Sequence, residues 1–171
     1  MAHQLAEDRV LPAEFAKRFM DVWNAHDIDR LMALLTDDIV WIDPTMPAPL
    51  EGAGAVRDFL HNGLRAFPDL HFTEADRPHV TADEDNVAKA WVMEGTMLGD
   101  LDPPGFAPTG RRMRVEGVDL WLMREGKIAV YRTFYDVTHI ARQLGIMPMY
   151  GSRAERGLVT LQRLQARLLR K

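Results

Sequence analysis

"GRRMRVEGVDLWLM", residues 110–123, runs through "REGK" at 124–127 into "KIAVYRTFYD", residues 127–136. Two β-rich segments joined by a four-residue turn containing Gly126 form an antiparallel hairpin, and this hairpin decides the fold class. Upstream, "LHFTEADRPHVTAD" (70–83) and "NVAKAWVMEGTM" (86–97) read as preceding strands, with a turn at "ADEDN" (82–86). Between them and the hairpin lies "LGDLDPPGFAPT" (98–109), too rich in Pro and Gly for a strand and placed at one mouth of the sheet, where binding residues often sit.

The N-terminal third differs in period. Phe15, Phe19, Val22 and Trp23 recur at helical spacing after Pro12, a favourable first helical residue, and a short helix carrying Leu31, Met32, Leu34 and Leu35 follows. "DDIVWIDP" (37–44) is strand-like and closed by Pro44, and "EGAGAVRDFLHNGLRAFP" (51–68) returns to helical spacing through Val56, Phe59, Leu60, Leu64 and Phe67. Helices first and a meander afterwards make an α+β domain. After Asp136, "VTHIARQLG" is a short helix stopped by Gly145, and "RAERGLVTLQRLQARLLR" (153–170) is a last helix with Leu158, Leu161, Leu164 and Leu168 on one stripe.

With 171 residues, 47% of them apolar, the chain fills one domain. A net charge of −4, with no Lys/Arg cluster before the tail, argues against nucleic-acid binding. The segment from Gly151 carries +5 and leaves −9 on the rest. Its stripe must pack on the acidic body, on a neighbouring subunit, or on a membrane surface. The absence of cysteine excludes disulfides, thiol nucleophiles and thiolate metal sites. No segment approaches the roughly 20 apolar residues of a membrane span, and the first residues lack a signal core, so a soluble, cytoplasmic protein is expected.

His3, His26, His61, His71, His79 and His139 show no metal-ligand spacing, no phosphate-binding loop follows a strand, and Ser152, the only serine, lacks a nucleophile elbow. Neither metal nor cofactor is expected. What remains is three carboxylates among aromatics: Asp43 after Trp41, Asp119 on one face with Trp121, and Asp136 on one face with Phe134 and Arg132. Desolvation raises a carboxyl pKa and suits it to acid and base work near neutrality. Each could equally cap a turn or pair with Arg111, Arg112 or Arg132. Trp23, Trp41, Trp91, Trp121, Met93, Met97 and Met123 could line a pocket or simply fill a core.

"FAKRFMDVWNAHDIDRLMALLTDDIVWIDP…EGAGAVRDFL", and more sharply "EGTMLGDLDPPGFAPTGRRMRVEGVDLWLMREGKIAVYRTFYDVTHIARQLG", resemble the SnoaL-like polyketide cyclases of the nuclear-transport-factor-2-like superfamily. The resemblance covers Ala13 to Pro148, making residues 1–12 an extension, 13–148 the domain and 149–171 a basic amphipathic helix. It implies a cone-shaped barrel of curved antiparallel or mixed sheet wrapped by the N-terminal helices around a deep apolar pocket, usually dimeric, with an apolar small-molecule substrate. Asp136 falls where such cyclases keep the Asp that is acid and base in an aldol ring closure. "VWIDP" and "GVDLW" resemble ketosteroid isomerase segments, which implies a proton-shuttling role for Asp43 and a neutral donor role for Asp119. Phe19 replaces the oxyanion-holding Tyr of those isomerases, and Met97 stands where cyclases often have His. Phe19, Trp23, Trp41, Met97, Trp121 and Phe134 are then the expected substrate-binding side chains. Limonene-epoxide hydrolases are similar through "APTGR", "EGKI" and "YRTFYD", but the Arg they need on the strand "WVMEGTM" is missing, and Glu94 is its only acid. The readings are thus a cofactor-independent cyclase or isomerase for apolar carbonyl compounds, a non-catalytic binding or assembly module, and third an epoxide hydrolase.

Overall fold

The structure is a computed structural model that describes residues 12–81 and 85–169; residues 1–11, most of the expected 82–86 turn, and the last two residues lie outside it. Among the described residues, five helices, α1 (Pro12–Asn24), α2 (Ile28–Met32), α3 (Gly52–Ala66), α4 (Val137–Gln143) and α5 (Arg153–Leu168), accompany seven strands. The strands are β1 (Leu35–Ile42), β2 (Leu50–Glu51), β3 (His71–Glu74), β4 (His79–Val80), β5 (Asn86–Thr96), β6 (Arg112–Arg124) and β7 (Lys127–Tyr135). They form one curved, unclosed sheet in the order β2-β1-β7-β6-β5-β3, with β4 also on β5.

The expected hairpin is β6–β7, and Glu125 and Gly126, both at positive φ, make its turn. Every pairing is antiparallel except β1 with β7, so the sheet is mixed. Breaks in register between Leu35 and Val40 on β1, and between Leu122 and Met123 on β6, mark irregularities of the kind that bends a sheet. Residues 70–83, expected as one strand, form two. Asp76 accepts from the Arg77 N–H and pairs with His79, a local turn, and Pro78 has no N–H to give a ladder.

Along β6, Met113, Val115, Asp119 and Trp121 face inward while Val118, Leu120 and Leu122 face out. Phe15, Ala16, Phe19, Val22 and Trp23 of α1 and Val56 and Leu60 of α3 pack on the concave side, and the core lies between. The loop at 98–109 is docked at its start: the N–H groups of Leu98 and Gly99 both donate to the Ala66 carbonyl, satisfying an end of α3. A Cβ on Gly99 would lie 2.3 Å from the Arg65 carbonyl oxygen, so only glycine permits the approach. Gly99→Ala should therefore destabilise the domain by about 1–3 kcal/mol, read as a lowered urea midpoint. An unchanged midpoint would mean that the loop lifts off α3 without cost.

Candidate active site

Asp43 begins the turn that ends β1. Its carbonyl accepts from Met46, Pro44 occupies the position where a fixed φ favours the turn, and its Oδ1 accepts from the Thr45 N–H at 2.8 Å and the Thr45 hydroxyl at 2.5 Å. The Tyr135 hydroxyl, arriving from the end of β7, donates to Oδ1 at 2.9 Å and lies 3.2 Å from Oδ2. Asp43 is 8% exposed, so an apolar strand runs into an acid because that acid is held inside by three donors.

Asp119 sits mid-strand on β6, directly between Lys89 on β5 and Thr133 on β7. Burial raises its pKa to about 6; the Trp91 indole and the Tyr131 and Thr133 hydroxyls pull it back down, and the charge of Asp43 pushes it further up. The Trp91 indole and Thr133 hydroxyl lie close enough to favour the ionised form, yet Asp119 Oδ1, Trp91 Nε1 and Thr133 Oγ1 complete no hydrogen bond of good geometry. A buried acid among unpaired donors is costly and marks a place where a polar ligand atom would be welcome. Burial also pushes the Tyr131 and Tyr135 phenols well above their ordinary pKa, reinforced by the neighbouring carboxylates, so both remain protonated donors.

The cavity onto which Asp119 opens is lined by Phe19, Met20 and Trp23 from α1, Phe72 from β3, Lys89 and Trp91 from β5, and Trp121 and Tyr131 across the hairpin. It holds about 10 Å³, room for about one water, in place of the expected deep pocket. A shallower depression of about 320 Å³ on the outer side of α1 is lined mainly by charged side chains and contains none of the expected residues.

Phe19, Trp23 and Trp121 thus line the cavity as expected. Trp41 and Met97 are buried but do not line it: Trp41 stacks on the cavity residue Tyr131 at 3.6 Å, and Met97 receives the Thr109 hydroxyl at its sulfur. Phe134 is 52% exposed on the outer face. Asp136 is exposed, and its Oδ1 caps α4 by accepting from the His139 N–H at 2.8 Å. Asp43 and Asp119 are both buried, and the Asp43 charge acts on Asp119, whereas Asp136 is exposed. On β7 the inward phase is Tyr131, Thr133 and, half-buried, Tyr135; residues 132, 134 and 136 belong to the other side. Arg132 is exposed and Arg111 lies against Gly145, so neither supplies the epoxide-hydrolase arginine beside Asp136.

Sequence reasoning missed Lys89, Tyr131 and Tyr135. Lys89 is 1% exposed, and its ammonium reaches Glu74 at 2.8 Å. Its signal was the alternation Val87, Lys89, Trp91, which puts a cation on an apolar face. The two tyrosines supply from β7 the phenolic donors that Phe19 cannot.

Residues 16–131 match the family described as the SnoaL-like domain. Over 113 residues, 65% of this chain and 76% of the other, the sequence is 28% identical to cyclase aurE of Calcarisporium arbuscula. Among solved structures, TsrD from Streptomyces laurentii is similar over 82% of this chain and 98% of its own, with a TM-score of 0.68 and 23% identity. A proposed polyketide cyclase from Pseudomonas putida is similar over 79% and 98%, with a TM-score of 0.70 and 20% identity. These structural likenesses fix a shared fold. No helix among the described residues is long and apolar enough to cross a membrane.

Proposed function

The chain belongs to the SnoaL-like domain family, and from that premise we propose a cofactor-independent acid/base enzyme that moves a proton beside the carbonyl of an apolar compound, in a polyketide-like cyclisation or a related isomerisation. The observation that carries this reading is Asp119, a buried carboxyl with an unpaired oxygen at the cavity, coupled to a second buried acid. Asp43, held by Thr45 and Tyr135, is the base that takes the proton next to the carbonyl. Asp119, protonated, donates to the enolate oxygen and returns a proton, and the site is reset when Asp43 gives up the proton it took and Asp119 regains one from solvent. Tyr131 and Trp91 supply further donors, and Lys89, paired with Glu74, also lines the cavity. A substrate larger than water enters by displacing the α1 side chains Phe19, Met20 and Trp23, which form one wall of the cavity.

The test is solvent-deuterium incorporation into a panel of apolar ketones and diketones, read by mass spectrometry across pH. Because the active form has Asp119 protonated, kcat/KM should fall as pH rises through about 6. The small cavity favours a second reading, a binding or assembly module whose acids serve structure. A compound that binds but acquires no deuterium at any pH would put that module ahead.

A further inference from the structure

Lys89 is a buried cation that the proton transfer does not use. It stands on β5 in register with Asp119 on β6, and both side chains are buried on the inward face. Opposed residues on one face of an antiparallel pair are neighbours, and both line the same small cavity. The Lys89 ammonium reaches the edge strand β3, where it donates to Glu74 Oε1 at 2.8 Å. An ammonium has three donors, and among the described residues Glu74 occupies one of them.

The two partners are unequal. The Lys89 side chain is 1% exposed, whereas that of Glu74, the last residue of β3, is 49% exposed. The Glu74 carboxylate can therefore turn into water, and its charge already reaches Lys17 of α1, an exposed second cation. Lys89 has no such alternative. An ammonium left alone in the core is costly, so an anion must take the place of Glu74 whenever Glu74 leaves. Other atoms of the cavity wall also suit an oxygen-bearing ligand: the indole N–H groups of Trp91 and Trp121 complete no hydrogen bond.

We propose that Lys89 takes a carboxylate of the substrate in exchange for Glu74, which makes the substrate class a keto acid, a carbonyl compound with one anionic group on an otherwise apolar skeleton. The proposal rests on the acid/base reading of the same cavity, because the carbonyl is the part of such a molecule that meets Asp119. The ketone lies at the Asp119 end and the carboxylate at the Lys89 end. Anchoring the carboxylate orients the acidic carbon before its proton is taken. Charge outside the cavity opposes an anion, since the chain as a whole carries −4, so a preference for acids has to arise locally.

Binding and turnover are read separately, for aromatic keto acids of increasing chain length and their methyl esters. Quenching of tryptophan fluorescence gives the dissociation constants, and mass spectrometry gives the deuterium incorporated. The best-fitting acid should bind about 10–100-fold more tightly than its ester, the range set by a hydrogen bond to a charged group. Lys89→Met keeps a long unbranched side chain without the charge and should collapse that preference. Glu74→Gln removes the competing anion from a half-exposed position and should widen it; a preference that fails to widen shows that Glu74 and the ligand do not compete, and overturns the exchange. Equal binding of acid and ester by the wild type at every length would overturn the proposal, as would binding of neither. Lys89→Met weakening acid and ester alike would mark a merely structural lysine. A Lys89-dependent preference without deuterium incorporation would keep the carboxylate site and remove the acid/base reading, whereas incorporation into ketones and esters with no preference for acids would keep that reading and remove this inference.

Discussion

Asp43→Asn is expected to slow deuterium incorporation into a bound ketone by about 10³-fold with the fold intact, the size of effect that follows loss of a positioned base. The side-chain oxygen of asparagine can accept the same hydrogen bonds from Thr45 and Tyr135 that Oδ1 accepts now, so the turn after β1 survives. What disappears is the basicity. Asp136→Asn is the matched control: asparagine caps a helix as well as aspartate does, so α4 should persist and exchange should continue at the wild-type rate. The opposite pattern, exchange lost with Asp136→Asn and kept with Asp43→Asn, would return the reaction to the residue that the cyclase resemblance implies. Tyr135→Phe removes one donor from the carboxylate while leaving Thr45 in place, and a loss of about tenfold, one hydrogen bond's worth, is expected from it.

Asp119→Asn should abolish proton return and yet make the protein more stable at pH 8. The folded pKa is raised from 3.8 to about 6, so the folded chain holds this proton more tightly than the unfolded chain does. Between those two values the unfolded chain has lost the proton while the folded chain keeps it, and stability falls as pH rises through that window. Above it the full cost is present, on the order of 2–3 kcal/mol for a shift of this size. Asparagine has no such titration. Urea midpoints should therefore favour Asp119→Asn at pH 8, and the advantage should close toward pH 4. An equal difference at both pH values would show that the carboxyl carries no desolvation penalty. Such a penalty, retained in the core of a marginally stable domain, is a stability cost tied to the chemistry we propose.

The helices and the β6–β7 hairpin were legible because their periods differ: Phe15, Phe19, Val22 and Trp23 cannot share one face of a strand, nor can Asp119 and Trp121 share one face of a helix. Asp43 and Asp119 were legible as inward for the same reason, each two residues beyond or before a tryptophan that needed burial. Asp136 was not. One residue of phase on β7 separates the inward Tyr131 and Thr133 from the outward Arg132 and Phe134, and Arg132 was the sign that Asp136 shared the outer side. Lys89 was illegible because a lone lysine in a strand is ordinarily solvated, and only the burial of Val87 and Trp91 on either side places it inside. The volume of the cavity depends on how α1 seats its aromatic side chains, which no pattern of residue types specifies.

The parallel pairing of β1 with β7 also has a consequence during synthesis. The hydrogen bond from Tyr135 to Asp43 spans 92 residues, and among the described residues β1 has β7 as its only neighbour besides the two-residue β2. A ribosome delivers Ile39 and Trp41 long before Tyr131 exists to cover them, so nascent chains carry an open apolar edge until β7 has emerged. Closing so long a loop late makes folding slow for a domain of this size. The two halves of the proposed acid pair therefore enter their working geometry in the final docking step, and a chain released short of Tyr135 has no means of holding Asp43 from that side.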